Sequence, residues 1–195
     1  VAVGTVADMV SLVGENRTLV SQGLKTINQK KRIGLSELIK VSKINANGEK
    51  EIKAWHIGWQ IAPRLNSAGR MDHANTAYVL LITRDKAEAR QIAEKLNEKN
   101  QARQKITEEI FEAAKKMVEA GRLDDKILIV VSPEPGKKEN LSWPEGVMGL
   151  VAGRLCEEYS RPVLVITKIN KEIKGSGRSI DEFNIIQAVE KLKEH

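Results

Sequence analysis

The chain has 195 residues, 41% of them hydrophobic and only 4% aromatic, so one large core or two small ones must be built mainly from Val, Ile, Leu and Ala. The formal net charge of +6 suits an anionic partner such as nucleic acid, and the excess lies early: residues 1–83 hold 11 Lys and Arg against 6 Asp and Glu, while the rest is almost balanced. The single Cys156 excludes an intrachain disulfide and a thiolate metal cluster, and it fits a reducing, cytoplasmic setting.

His56, His73 and His195 show no metal-ligand spacing, and no apolar run has the length of a membrane span. The sequence starts abruptly on VAVGTVADMV, without Met, and is read as a segment of something longer. After that stretch, residues 1–83 are expected to be mostly helical. ENRTLVSQGLKTIN places Leu19, Val20, Leu24 and Ile27 at helical spacing, and GLSELIKVS suggests a second, short helix. INANGEKE is a polar turn at Asn47-Gly48. WHIGWQIAPRLNSAGRM then runs apolar into Pro63, breaks, and resumes as a helix through TAYVLLIT.

From Asp85 to about Ala120 a helical pattern runs without Pro or Gly. Ile92, Leu96, Ile106, Ile110, Ala113 and Met117 form its apolar stripe, and NEKNQARQK in the middle is almost wholly polar. That pattern suits a strut between two bodies or a surface helix with a wet stretch, and Gly121 is a natural stop. The last third has another grammar. KILIVVS (126–132) and PVLVITKI (162–169) read as strands, and GVMGLVAGRLCEEYS between them reads as a helix in which Gly149, Ala152 and Gly153 permit close packing. Strand, helix, strand predicts a parallel pair. A hairpin strand ending at GSGRS and a closing helix complete a small α/β domain.

Four stretches could carry chemistry. Asp8 sits in GTVADMV among apolar residues, where it is either a paired or metal-bound carboxylate or the third position of a capping box begun by Thr5. PRLNSAGRM offers Arg64, Asn66 and Arg70 in a Pro- and Gly-bounded loop that could hold phosphate; the alternative is a helix break capped by Asn66 or Ser67. Trp143, ahead of Pro144 and a helix start, is either core or a base-stacking face, with an anion received at the helix amides. In GSGRS the glycines let backbone approach a phosphate, and Ser176, Gly177, Arg178 and Ser179 are the candidate contacts. Ser179 with Glu182 has capping-box spacing as well, and the Gly-Lys-Ser/Thr of a Walker A loop is absent.

Taken in order, VGTVADMVSLVGENRTLV, APRLNSAGRM, LNEKNQARQ, GVMGLVAGRLCEEYSRPVLVI and GSGRSIDEFNI resemble the RecJ family, single-strand-specific 5′→3′ DNA exonucleases of the DHH phosphoesterase superfamily. The resemblance implies an α/β fold: residues 1–83 as the C-terminal part of the DHH catalytic domain, 84–121 as a connecting helix, and 122–195 as a truncated DHH-associated, substrate-binding domain with a mixed sheet. It also implies hydrolysis with two Mn²⁺ or Mg²⁺ ions in the whole enzyme, and single-stranded DNA as partner to a monomer. Asp8 then matches the last metal-binding aspartate. Arg64, Asn66 and Arg70 match a segment beside the cleft, and Ser176 to Ser179 match a strand-gripping segment. The family's DxD, single-Asp and Asp-His-His motifs and its Gly-Gly-His segment are not found in this sequence. Trp143-Pro144 stands where the family commonly has Trp-His. One carboxylate cannot hold two metals, so the segment is expected to be inactive by itself, with no complete catalytic set. Two other readings stay open: a non-enzymatic single-strand-binding module, and a related phosphodiesterase of short oligonucleotides or cyclic dinucleotides.

Overall fold

The structure is a computed structural model that describes residues 1–44, 51–71, 74–133, 143–169 and 172–192, except for the side chains of Arg70, Met71 and Ile169. The expected turn at Asn47-Gly48 and the two histidines His73 and His195 lie outside the described residues. The chain divides into two compact units, Val1–Arg103 and Gln104–His195.

The first unit is helical: α1 (Ala2–Ala7), α2 (Gly14–Asn28), α3 (Ile33–Val41), α4 (Ala54–His56), a π segment (Ile57–Ile61), α5 (Ala62–Met71), α6 (Asn75–Ile82) and the first half of α7 (Lys86–Glu119). The opening apolar stretch is therefore already helix. Its core is aliphatic, as the composition requires: Leu38, Ile57, Ile61, Leu80 and Leu96 have no exposed surface. Of the four positions expected to mark the inner face of α2, Val20 is buried and Leu24 and Ile27 pack on the core, but Leu19 is exposed. Asn28 pairs with the backbone of Ile52 in both directions, its amide donating to the Ile52 carbonyl and its oxygen accepting from the Ile52 N–H. That pairing ties the end of α2 to the segment leading into α4.

PRLNSAGRM is not a loop: all of it lies in α5. Pro63 has no N–H to give the preceding turn, and its ring crowds the carbonyl four residues back. The π segment immediately before it widens that turn, and the helix passes through the proline instead of breaking.

The second unit holds the end of α7, then β1 (Leu128–Val131), α8 (Glu145–Tyr159), β2 (Val163–Ile169), β3 (Glu172–Arg178) and α9 (Ile185–Leu192). β1 pairs parallel with β2, Leu128 opposite Val163, and β2 pairs antiparallel with β3, Val163 opposite Arg178. This is the mixed α/β arrangement expected from the strand–helix–strand pattern. Leu128, Val130, Val163 and Val165 point inward onto Val147, Val151, Ala152 and Leu155 of α8 and Ile110, Ala114 and Val118 of α7. Two ion pairs fasten α7 to α8. Arg154 grips Glu108 with two hydrogen bonds while lying over the Phe111 ring, and Lys115 bonds Glu158. GSGR continues β3 instead of following it. The closing helix is capped by Asn184, whose side-chain oxygen accepts from the Gln187 N–H. Ser179 is therefore not the cap; its hydroxyl donates to the Phe183 carbonyl in the turn before α9.

The tightest approach in the first unit is between α3 and α6. A Cβ at Gly34 would stand 1.7 Å from the Leu80 carbonyl oxygen, a backbone atom that cannot step aside. Gly34→Ala should lower the urea-unfolding free energy by about 1–3 kcal/mol, the usual cost of overpacking. Gly4→Ala, where a Cβ meets nothing within 4 Å, should stay near wild type.

Candidate nucleic-acid interface

Asp8 follows the last residue of α1 as its C-cap and is exposed. It is not the third position of a capping box: Thr5 is inside the helix, its hydroxyl donating to the Val1 carbonyl. Nor is it buried among apolar groups, so the cost of burial that made it conspicuous does not arise. A carboxylate beside the negative end of a helix is poorly placed electrostatically, and a cation would relieve it. Among the described residues no three His, Cys, Asp or Glu side chains gather closely enough to hold a metal ion. Asp8 offers one ligand at most, and the described residues supply no second one beside it.

α5 carries the other candidates of the first unit. Arg64 is half-buried; its Nε donates to Asn97 Oδ1 of α7 at 2.9 Å and its Nη1 to the Gln60 carbonyl at 2.6 Å. Burial pushes its pKa down from the ordinary value. Most of its fork is thus engaged in bracing α5 against α7. Ser67, fully buried, completes the brace by donating to the carbonyls of Arg64 and Leu96. Asn66, one residue earlier, is exposed. Arg70 falls in the last turn of α5, and its side chain lies outside the described ones.

In the second unit, alternation along β3 puts Lys174, Ser176 and Arg178 on the face towards α8. Lys174 Nζ reaches Glu145 Oε2 at 2.9 Å, and that carboxylate holds the ammonium above its ordinary pKa. Glu145, in the first turn of α8, supplies negative charge that the helix start favours. Arg178 is exposed, with Nη1 donating to the Gly177 carbonyl. No hydrogen bond to the Ser176 hydroxyl is found among the described residues. Gly177 points the other way: a Cβ there would meet Leu164 and Ile185, each at 3.1 Å. It serves packing against α9, and a side-chain contact with a ligand is not available to it.

Trp143 is not a stacking face. Only 2% of it is exposed, and it fills the core with Met148 and Leu155. The accessible tryptophans are instead Trp55 and Trp59, 58% and 71% exposed, four residues apart across α4 and the π segment. In the sequence they are hidden within a run that is apolar almost throughout. Their spacing, out of step with Ile57 and Ile61, was the available signal.

In fold, the chain matches solved metal-bound exonucleases. The crystal structure of RecJ in complex with Mn²⁺ from Thermus thermophilus matches 99% of this chain with a TM-score of 0.82 and 31% identity, and this chain covers 26% of that one. The crystal structure of exonuclease RecJ bound to manganese matches 97% of this chain with a TM-score of 0.76 and 32% identity, over 44% of that one. In sequence, the single-stranded-DNA-specific exonuclease RecJ of Bacillus subtilis is 35% identical over 99% of this chain and 23% of its own length. The Escherichia coli RecJ is 35% identical over 98% and 32%. By sequence and by fold, then, the chain is similar to one part of RecJ exonucleases. It spans about a quarter to a third of the length of these curated relatives. No protein-family model matches it.

Cys156 reports on this interface. Its thiol donates to the Ser179 carbonyl at 3.5 Å, and its pKa is raised, first by burial and then by Glu157, while Arg178 opposes the rise. Cys156 should therefore react with a disulfide reagent more slowly than an exposed thiol at pH 8, and Arg178→Ala should slow it further. A lower thiol pKa in that variant, read from the pH dependence of the rate, would show that the Arg178 charge does not favour the thiolate.

Proposed function

We propose that the chain is an inner segment of a RecJ-type exonuclease that degrades single-stranded DNA from its 5′ end, and that its own part is to hold the strand. On this reading residues 1–83 are the end of the DHH catalytic domain, 84–121 the connecting helix and 122–195 the DHH-associated domain. The whole enzyme would work as a cytoplasmic monomer. The observation that carries the proposal is the pairing of an exposed guanidinium, Arg178, with the Ser176 hydroxyl on the same face of β3. A guanidinium and a hydroxyl two residues apart on one strand face suit a phosphodiester: the first supplies charge and two donors, the second a single donor. The named relatives, matched over nearly the whole of this chain, support single-stranded DNA as the ligand.

Mn²⁺ or Mg²⁺ would serve the hydrolysis in the whole enzyme by activating water and neutralising developing charge. Asp8 would give one ligand, and the others would have to come from outside the described residues. Arg64 acts as a brace for α5, with Asn66 and Arg70 as the contacts that helix can offer the strand. The bases would stack on Trp55 and Trp59, since aromatic faces receive any base.

Two measurements test this. Arg178→Ala should weaken binding of a thymidine oligonucleotide and flatten the plot of log affinity against log salt by about 0.7, the increment for one phosphate contact on a single strand. Arg90→Ala, which removes an exposed partner of Glu94, should leave the slope unchanged. In the second measurement, the oligonucleotide should quench tryptophan fluorescence, and Trp55→Phe with Trp59→Phe should abolish the quenching while Trp143 goes on emitting. An unaltered slope in Arg178→Ala would refute the grip, and quenching that persists in the double variant would refute the stacking.

A further inference from the structure

The strand-facing row of β3 and one row of α8 run in step. Two residues of strand advance about 6.8 Å and four residues of helix about 6 Å. Lys174, Ser176 and Arg178 accordingly meet Glu145, Gly149 and Gly153. Lys174 closes the ion pair with Glu145. A Cβ at Gly149 would come 3.0 Å from Ser176 Oγ and 3.4 Å from Arg178 Nη2, and one at Gly153 would come 3.9 Å from Arg178 Nε. Three residues beyond Gly153 on the same side, Cys156 reaches the Ser179 carbonyl. The helix row thus meets Lys174, Ser176 and Arg178 in turn.

We propose that Gly149 is a positioning residue. By having no side chain it lets the Ser176 hydroxyl and the Arg178 guanidinium lie side by side against α8, in the pose that receives a phosphate. The inference rests on the single-strand grip proposed above. The two glycines are not equivalent. At Gly149 a methyl group falls at the limit that real Cβ contacts almost never pass, against one polar atom and close to a second. At Gly153 it makes an ordinary van der Waals contact. Packing alone would make both mere spacers between helix and sheet. Positioning predicts that only the first matters to alanine, and that it matters through Arg178.

The experiment measures thymidine-oligonucleotide affinity at several salt concentrations for the full chain and its variants, alongside thermal unfolding. Gly149→Ala should lose the same slope increment as Arg178→Ala, about 0.7. Adding Gly149→Ala to Arg178→Ala should cost nothing further in slope, and Gly153→Ala should match wild type. Gly153→Leu, which reaches the guanidinium from its other end, should reproduce the loss, and it stands in if Gly149→Ala does not fold. A wild-type slope in Gly149→Ala, or an additive loss in the double variant, overturns the proposal. Should the wild-type chain not bind the oligonucleotide, the grip itself fails. Positioning is then judged by the nuclear Overhauser contact between Arg178 Hε and Gly153 Hα, expected in wild type and lost in Gly149→Ala; its retention there also overturns the proposal.

Discussion

The second unit depends on how closely β3 can approach α8. The strand carries two glycines and forms one edge of a three-stranded sheet among the described residues. Left to its own propensity, GSGR would be a weak strand. It is held from three sides: by the ladder to β2, by the Lys174–Glu145 pair, and by the bare flank of α8 at Gly149 and Gly153. Each glycine of β3 answers to a neighbour as well, Gly175 to the Val165 carbonyl and Gly177 to Leu164 and Ile185. Gly177 is thus explained by what stands next to it, while the Arg178 side chain stays exposed.

The first unit follows a different rule, in which polar atoms brace helices through backbone carbonyls. Asn28 does this for Ile52, Arg64 for Gln60, and Ser67 for Arg64 and Leu96. Buried and half-buried donors satisfied in this way fix the relation of one helix to the next more sharply than aliphatic contact does. The bracing also divides the work within α5. A guanidinium with both Nε and Nη1 engaged stabilises the helix, and Asn66, two residues on, is exposed.

Much of this was legible from pattern alone. The long polar-centred helix, the parallel pair around a helix and the hairpin strand all follow from periodicities of 3.6 and 2. What escaped the sequence was decided by contacts between residues distant in the chain. PRLNSAGRM reads as a break because proline normally ends a helix, and nothing local announces the π segment that lets it continue. Trp143 reads more readily as core than as a stacking face, and the assembled core of α7, α8 and the sheet buries it. Ser179 and Glu182 have the spacing of a capping box, yet the chain turns once more and Asn184 takes the cap. The resemblance drew attention to Asp8 and Arg178, and the structure finds both exposed. The glycines opposite Arg178 could be seen in the sequence as packing residues, but their partner could not.

The most direct test of the account is to titrate the isotopically labelled chain with a thymidine oligonucleotide and follow its amide and indole resonances. The account predicts that the shifts concentrate on residues 174–179, on the facing Gly149 and Gly153, and on the indole N–H groups of Trp55 and Trp59, with the Trp143 indole unmoved. Shifts that spare β3 and the exposed indoles, or a titration that moves nothing, would contradict it.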